Sequence, residues 1–573
     1  MKKLLVLFLL AFPILIFAII NISATIIGRN IPIPVEKVEV SLDTDIWSNE
    51  VNLRETDLSE GMKEINVYFR VLPSNARNHK VKTYSTDPFT SDIVIQEIDN
   101  TEESSGIRLA KVKLYEFGGN EIHITTEDGH YEAIIRVFVQ NPDDDPNLIK
   151  SVFFDYKEAL HGHYQFGYLN SVRMDFRYFP EEAHLNNTNE IFDQLTTEFE
   201  GEVLEKHIIE PGKGYFVIKF KDEEKQQVFG VKTLENRITK FTFNVNRGYN
   251  IKGHNFDEIQ VFTKSGEKVY QLEEIDLPRA LTISNGTYYD GNMFKITHKN
   301  IIDGSAVNVT GNNTTLNQVH IVGPLFDVDG QILPSQDVVN LRLTGSDTAR
   351  TQTITNSIIE NARYNVTLIG KSFHNGIELT PTEFYLENVK FSGALLGGLN
   401  IDNQKEGALM VNSTLVRVKN LSFEFVGVGI LLQNSKIADG QKGYSKLVVL
   451  PSIGLEHINS LDTSKNWRNL DEASGLLKEQ NVLSLLDELK KYDNVIYRKG
   501  RYYYVSPVIM IRGGAVNHSQ IYLDEKTESD LIKEERTPST MEAMHTAIGG
   551  RYPFTVYLLN PKYFPRGDES ETN

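Results

Sequence analysis

The chain has 573 residues, and at roughly 100–200 residues per domain that length predicts three to five units. With 40% hydrophobic and 24% charged residues the composition is that of ordinary globular domains, and the formal charge of −18 argues against a nucleic-acid partner, since no basic surface would offset phosphate repulsion. The absence of cysteine excludes a disulfide framework, thiolate metal sites, catalytic thiols and a lipidated N-terminal cysteine.

Lys2 and Lys3 precede an apolar run from Leu4 to Ile20, which continues more weakly to Ile27. Two readings of residues 1–28 stand side by side. A signal peptide has a small-residue cleavage site, for which Ile22-Ser23-Ala24 serves. A transmembrane anchor needs about 20 apolar residues, which Leu4–Ile27 nearly supplies, with the lysines left in the cytoplasm. Both place the rest outside the cytoplasm, on the cell membrane with its bulk extracellular or secreted to the cell surface.

Residues 35–140 show short alternating runs: KVEVSL at 37–42, EINVYFRV at 64–71, AKVKLYEF at 110–117, NEIHITT at 120–126 and EAIIRVFV at 132–139. This spacing predicts a β-sandwich. VLPSNARNHKVKTYSTD at 71–87 supplies Pro73, Asn75, Ala76, Lys80, Val81, Ser85 and Asp87, with Tyr84 in an aromatic slot. Gly118-Gly119-Asn120 comes next as a turn, and IHITTEDGHYEAIIRVFV at 122–139 forms a hairpin around Gly129. In these positions the stretch resembles the bacterial immunoglobulin-like (group 2) domain. The resemblance implies a cell-surface spacer or adhesion module. The acidic insertion IDNTEESSG at 98–106 departs from the family pattern.

QNPDDDPN at 140–147 reads as a linker. Residues 148–246 carry SVRMDFRYF at 171–179, KGYFVIKF at 213–220, KQQVFGVKT at 225–233 and ITKFTFNV at 238–245, which predict a second Ig-like sandwich. Residues 249–272 are either its last hairpin or the cap of the next domain.

A repeat dominates the next region, 249–435 with its N-terminal cap. Asn356, Asn388 and Asn420 stand 32 residues apart and open NSII, NVKF and NLSF. A strand-like run precedes each (TQTIT at 351–355, EFYL at 383–386, LVRV at 415–418), and another comes after each (YNVTLIG at 364–370, GLNIDN at 398–403, GILLQN at 429–434). Helical repeats of 33–34 residues would need 3.6-residue spacing, whereas these runs are β-branched with period two. Three strands per repeat with one polar corner resembles the right-handed parallel β-helix superfamily that includes pectate lyases, polygalacturonases and phage tailspikes. Asn tolerates the left-handed backbone of a sharp corner, and its amide can link one coil to the next in a structural ladder inside the stack. The 39 residues from Asn317 to Asn356 imply a longer loop in that coil, at 323–337.

In 436–573, residues 470–491 predict a long helix, with Leu477, Val482, Leu485 and Leu489 on one face, placed to cover the end of the coil stack. The region is expected to be a mixed α+β cap. Within it YRKGRYYY at 497–504 interleaves Tyr497 and Tyr503 with Arg498 and Arg501, a candidate ligand contact through ring stacking and charge.

The fold class is therefore mostly β: an N-terminal anchor or signal helix, one or two Ig-like sandwiches, a right-handed parallel β-helix and a mixed cap. Catalytic motifs are not evident. The repeat region has no Asn-Thr-Asp, no adjacent aspartates and no Gly-His-Gly. Glycoside hydrolysis needs two carboxyls across a sugar, and Asp327, Asp329, Glu360, Glu383 and Glu387 are scattered acids; Arg342, Arg350 and Arg363 are the bases a lyase could use. Asp327-Val-Asp329-Gly330 is part of a calcium-loop pattern, and His161-Gly-His163 can set two imidazoles on one strand face. No other cofactor is expected. The expected function is a cell-surface binding or structural protein, adhesin-like or glycan-binding, with the membrane, a polysaccharide or a surface protein as partner. A polysaccharide lyase or glycoside hydrolase with a divergent site is the alternative. The sequence leaves the oligomeric state open.

Overall fold

The computed structural model describes residues 37–454 except for short segments, the longest being 325–336, 96–106, 155–164, 404–412 and 435–443. Beyond 454 it describes 458–460, 495–498, 501–505, 508–512, 520–522, 531–536 and 554–559. The protein is mostly β with few helices, and among the described residues no helix is long and apolar enough to cross a membrane. The segment 1–28 and the helix expected at 470–491 lie outside the described residues. The chain divides into two compact units, Pro32–Gly253 and one that includes His254–Asn573.

The first unit holds two sandwiches. In the first, Lys37–Ser41, Lys63–Leu72, Ile107–Leu114 and Ser91–Ile95 form one sheet in that order, and Glu50–Glu55, Glu132–Val139, Gly118–Thr126 and Val81–Ser85 form the other. Alternation drives the packing. Val67, Phe69 and Val71 of one sheet meet Ile122, Ile124, Ile135 and Val137 of the other in a single buried cluster. Three of these strands escaped the sequence reading, Glu50–Glu55, Val81–Ser85 and Ser91–Ile95. Val81–Ser85 is the plainest case: it is an edge strand with a largely exposed face, so it lacks an apolar period, and its Tyr84 is 44% exposed.

The second sandwich pairs the sheet Gln165–Gly167, Ile238–Asn246, Lys225–Lys232, Thr196–Phe199 with the sheet Glu202–Glu210, Lys213–Lys219, Val172–Phe179, Ser151–Phe154. Its core is built largely of phenylalanine. Phe176 stacks on Phe216 at 4.8 Å, Phe166 meets Phe243 edge-on at 4.7 Å, and Phe229 contacts Phe154, Phe199 and Phe216. Such ring pairs add about 0.5–1.5 kcal/mol each beyond area burial.

In the second unit, three parallel ladders run side by side. From Lys268–Gln271 to Asp303–Thr310 each strand pairs in parallel with the strand three positions later, so the chain returns to the same ladder once per coil. The first ladder carries Lys268–Gln271, Tyr288–Asp290 and Thr314–Asn317, then 351–355, 383–387 and 414–419. The second carries Ile275–Asp276, Lys295–Thr297 and His320–Val322, then 357–360, 389–392 and 421–424. The third carries Leu281–Ile283, Asp303–Thr310 and Asp337–Thr344, then 364–369, 397–403 and Val428–Asn434. Strands Thr351–Ile369 and Thr382–Asn403 each pass through all three ladders.

Register turns these ladders into columns of like residues. Val269, Tyr289, Leu316, Ile354, Leu386 and Val418 stack in the first ladder. Ile275, Ile296, Ile321, Ile359, Phe391 and Phe423 stack in the second, with the last two rings 5.1 Å apart and nearly parallel. Leu281, Val307, Leu341, Val366, Leu399 and Ile430 stack in the third. All are buried. Gly398 makes room for the aromatic pair, because a Cβ there would stand 2.8 Å from the Phe423 ring.

The stack begins under a short helix, Phe256–Phe262, read from sequence only as part of a hairpin or cap. Its N-cap Asn255 forms a capping box with Glu258. Gln260 and Thr263 donate side-chain hydrogen bonds to the Thr282 carbonyl, so the helix closes the exposed edge of the third ladder. At the other end the parallel pairing does not stop at 435. Tyr444–Val449 pairs in parallel with the strand at 413–418, Ile509–Arg512 with 430–433, and Gln520–Tyr522 with 446–448. The boundary read at 435 moves accordingly, because long insertions separate strands that still belong to the same ladders. The hairpin of Leu531–Arg536 and Phe554–Leu559 then pairs antiparallel to 509–511.

Candidate functional site

In four successive coils the turn from the first ladder into the second is made by one residue with a left-handed backbone. Gln318, Asn356, Asn388 and Asn420 have φ of 51°, 51°, 56° and 53°. Asn accepts this conformation more readily than most L-residues. Asn420 Nδ2 donates to Asn388 Oδ1, Asn388 Nδ2 to Asn356 Oδ1, and Asn356 Nδ2 to Asn317 Oδ1, each at 3.0 Å. Asn317 is not itself the corner residue. It lies one position earlier, in register with Thr355, and its amide joins the row from there.

The row has a direction. Every amide donates toward the N-terminal end, and the last of them, Asn317 Nδ2, donates to the Asp290 carboxylate at 3.2 Å. Burial pushes the Asp290 pKa up, while the Asn292 backbone N–H and the Asn317 amide act against that rise. The polarised row thus ends on the Asp290 carboxyl. Asn356, Asn388 and Asn420 are exposed, so the row runs along the outside of the corner and not the interior that the spacing had suggested. The left-handed turn directs the side chain outward while the flanking Ile354 and Ser357 are buried.

Beside the row lies the outward face of the first ladder. Thr353, Tyr385 and Arg417 are in register across three coils, as are Thr355, Glu387 and Lys419. Tyr385 donates its hydroxyl to Glu387 at 2.6 Å, and Lys419 forms an ion pair with the same carboxylate. Lys419, then Tyr385, holds the Glu387 carboxyl below the usual range. The same contact with Glu387 raises the pKa of Tyr385 and of Lys419. A half-exposed tyrosine on a flat strand face, with charges of both signs beside it, can stack on a planar or sugar-like ligand and hydrogen-bond its rim.

A second polar row lies in the interior and was not read from sequence. It runs from the end of the second ladder, at His298, onto the third, at Asn340 and Asn365. His298 Nε2 hydrogen-bonds Asn340 Oδ1 at 2.6 Å, Asn340 Nδ2 donates to the Glu360 carbonyl at 2.6 Å and to Asn365 Oδ1 at 3.3 Å, and Asn365 Nδ2 donates to the Ser392 carbonyl at 2.8 Å. His298, Asn340 and Asn365 are fully buried. Because Asn340 uses its amino group as donor twice, its oxygen accepts, and His298 carries its proton on Nε2. Burial lowers the His298 pKa, with the Asn340 hydrogen bond opposing that shift, and the imidazole is neutral. Asn365 opens an Asn-x-Thr sequence, yet its burial leaves no room for a glycan.

The remaining candidates are dispersed. Glu360 pairs with His320 at 2.9 Å on the second ladder, Glu383 lies opposite Thr351 on the first, and Arg342 lies between Asn308 and Thr367 on the third. Burial alone would raise the Glu360 pKa, but the His320 hydrogen bond and charge outweigh it and the carboxyl is held low. Arg363 sits between the second and third ladders, on the strand Thr351–Ile369. Asp327, Asp329, Arg350, His161 and His163 lie outside the described residues. Among the described residues no group of three or more His, Asp or Glu side chains is placed to hold a metal ion. Tyr497 and Arg498 lie on Val495–Arg498, which pairs antiparallel with Arg501–Val505; Arg498 faces Arg501 in register and Ile496 faces Tyr503.

No protein-family model matches the chain, and no curated protein matches it. Solved structures do. The S-layer protein SbsC, domains 5–6, is 13% identical over 37% of this chain and 98% of that chain, with a TM-score of 0.15. The D0-D1 domain of intimin is 11% identical over 37% of this chain and 99% of that chain, with a TM-score of 0.23. FdeC, an Escherichia coli adhesin, is 9% identical over 37% of this chain and 66% of that chain, with a TM-score of 0.13.

Three substitutions test the two rows. Asn388→Ala removes one donated and one accepted amide bond and places a Cβ-bearing residue without a local polar partner at a left-handed corner. It should destabilise the stack by about 1–3 kcal/mol. Asn388→Gly loses the same amide bonds but keeps the backbone comfortable, so its urea midpoint should lie between those of the parent and Asn388→Ala. Equal midpoints for the two variants would show that the left-handed corner carries no part of the effect. For His298 the folded pKa lies below the ordinary 6.5, so the unfolded chain takes up the proton first as pH falls. The contribution of neutral His298 is fully present above that value and is lost as pH drops below it. The melting temperature of the parent should therefore fall more between pH 7.5 and 5.5 than that of His298→Gln; identical falls would remove His298 from the acid response.

Proposed function

We propose that this protein is a cell-surface binding and structural protein. In this reading residues 1–28 direct the chain out of the cytoplasm, as a signal or as a retained anchor. Two Ig-like domains, at 35–140 and 148–246, serve as spacer. A right-handed parallel β-helix, beginning near 249 and continuing past 435, presents its flank to a polysaccharide or to a surface protein. The facing four-stranded sheets support the Ig-like assignment, and the three parallel ladders support the β-helix.

The observation that carries the binding role is the exposed amide row from Asn317 to Asn420, repeated once per coil beside the face of Thr353, Tyr385 and Arg417. The row uses one amide hydrogen and one lone pair of Asn356 and of Asn388. Each amide can offer a second of both. Coils stack at about 4.8 Å, so this edge presents the same hydrogen-bonding groups at a fixed repeat. A rigid periodic edge suits a polymer with its own repeating hydroxyls, because the partner's ordering cost is met by many identical contacts.

The test is a glycan array probed with the full chain, followed by mass analysis of every glycan retained. The reading predicts retention of at least one polysaccharide with its mass unchanged. Tyr385→Ala should weaken that binding by about tenfold, equivalent to about 1.4 kcal/mol, with an unaltered melting temperature. Turnover of a retained glycan would instead support a polysaccharide lyase or glycoside hydrolase. Retention of no glycan would sink the polysaccharide partner.

A further inference from the structure

The first unit contains a feature that neither sandwich explains alone. The outer face of the sheet bearing Gly118–Thr126 and Glu132–Val139 is buried along Gly118–Thr126. At one end of that face Phe138 packs with Phe153 and Phe179 of the second sandwich, and all three rings are buried. Phe138 and Phe179 stack at 5.1 Å, and the Arg54 guanidinium lies over the Phe138 ring at 5.1 Å. Polar contacts surround this aromatic centre. Arg54 bonds Glu181 at 3.1 Å, Arg237 donates to the Phe117 carbonyl at 2.8 Å, and the Gly119 N–H donates to Ser151 Oγ at 3.0 Å in a buried position.

Gly118 and Gly119 make this approach feasible. Gly118 has φ +148°, a conformation that L side chains rarely adopt, and a Cβ there would meet Arg237 Nη1 at 2.7 Å. A Cβ on Gly119 would stand 2.8 Å from the Phe153 ring and 3.0 Å from Phe179 Cβ. One pleat further along, buried Arg136 binds Glu121 at 2.9 Å and forks onto Glu50 through both terminal nitrogens. Arg136 holds the Glu50 carboxyl low, and Arg177 and Lys213 of the second sandwich add to that pull.

The connecting segment is pinned as well. Lys150 bridges Asp144 at 3.1 Å and Glu235 at 2.6 Å. The side chain of Gln194 donates to the Asn147 carbonyl at 2.8 Å and accepts from the Ile149 N–H at 2.9 Å. A flexible spacer would leave these backbone groups to water.

We infer that the two sandwiches are locked into one rigid body by a clamp of Phe138, Phe153 and Phe179 seated on Gly119, with Arg54 and, over Gly118, Arg237 as its outer bolts. Interfaces between domains of one chain ordinarily resemble transient, rather polar contacts and leave the domains free to move. A buried aromatic centre with a charged rim is the arrangement that holds protein interfaces together. The clamp fixes the orientation in which the first unit holds whatever it carries. It stands whether or not the amide row binds a polymer.

The absence of native cysteine makes a direct distance measurement straightforward. Spin labels are attached in the full chain at Ile46→Cys and Leu204→Cys, positions that are 74% and 45% exposed, one in each sandwich. Pulsed electron–electron resonance should return a single narrow distance in this parent. Gly119→Val should broaden it, and Arg54→Ala with Arg237→Ala should broaden it less. Hydrogen exchange of 107–114 and 213–219 reports whether each sandwich remains folded; if Gly119→Val unfolds the first, the double arginine variant carries the test. A broad distribution in the parent, or an unchanged narrow one in a folded variant, would overturn the clamp.

Discussion

A parallel stack closes only if each coil brings the chain back to the same ladder, one strand spacing higher and with the same side chains inward. The third ladder shows how strict this is. Leu281, Val307, Leu341, Val366, Leu399 and Ile430 hold one column although the sequence distance between neighbours varies. Slipping one residue would put Thr282, Asn308, Arg342, Thr367 and Asn400 in place of the first five members of this apolar column. The constraint is absolute for the strands and lax for the segments between them, so insertions accumulate between ladders without disturbing the columns.

Corners are where this constraint meets polar chemistry, and the two rows solve it differently. At the outer corner the backbone turns in one residue, the asparagine side chain points to water, and the amides bond one another in a single direction that ends on Asp290. Water competes there, so the row contributes modest stability and remains open to a partner. At the inner corner His298, Asn340 and Asn365 are sealed from water, where an unmade hydrogen bond is costly, and each finds a partner in the next coil. One row presents groups and the other secures the interior.

The same distinction decides how much of the fold is legible in the sequence. The coils at Asn356, Asn388 and Asn420 were legible because one residue type recurs at one step of 32. The coils before them were less regular, since Asp290 ends the row and Gln318 makes the corner while Asn317 supplies the amide. The inner row is hidden because its members lie 42 and 25 residues apart, spaced by segments of unequal length. Strands at 444–449 and 509–512 rejoin their ladders after insertions that carry no trace of the period. Gly118 and Gly119 read as a turn, whereas they begin a strand and are bare so that Arg237 can sit on the first and aromatic rings on the second. In each case the deciding contact joins residues distant in sequence, and no local pattern records it. The tyrosine and arginine run at 497–503 shows the converse: its alternation was legible, and the pattern did not record that Val495–Arg498 pairs antiparallel with Arg501–Val505.

Register is the central claim, and a pair of cysteines tests it most directly, again because the chain has none of its own. Thr353 and Tyr385 are register partners on the outward face of the first ladder, while Phe384, the neighbour of Tyr385, is buried inward. Strand partners stand about 4.8 Å apart, within reach of a disulfide after slight adjustment. Under mild oxidation Thr353→Cys with Tyr385→Cys should cross-link rapidly, and Thr353→Cys with Phe384→Cys should not. Equal cross-linking of the two pairs, or preference for the second, would contradict the 32-residue register on which the stack rests.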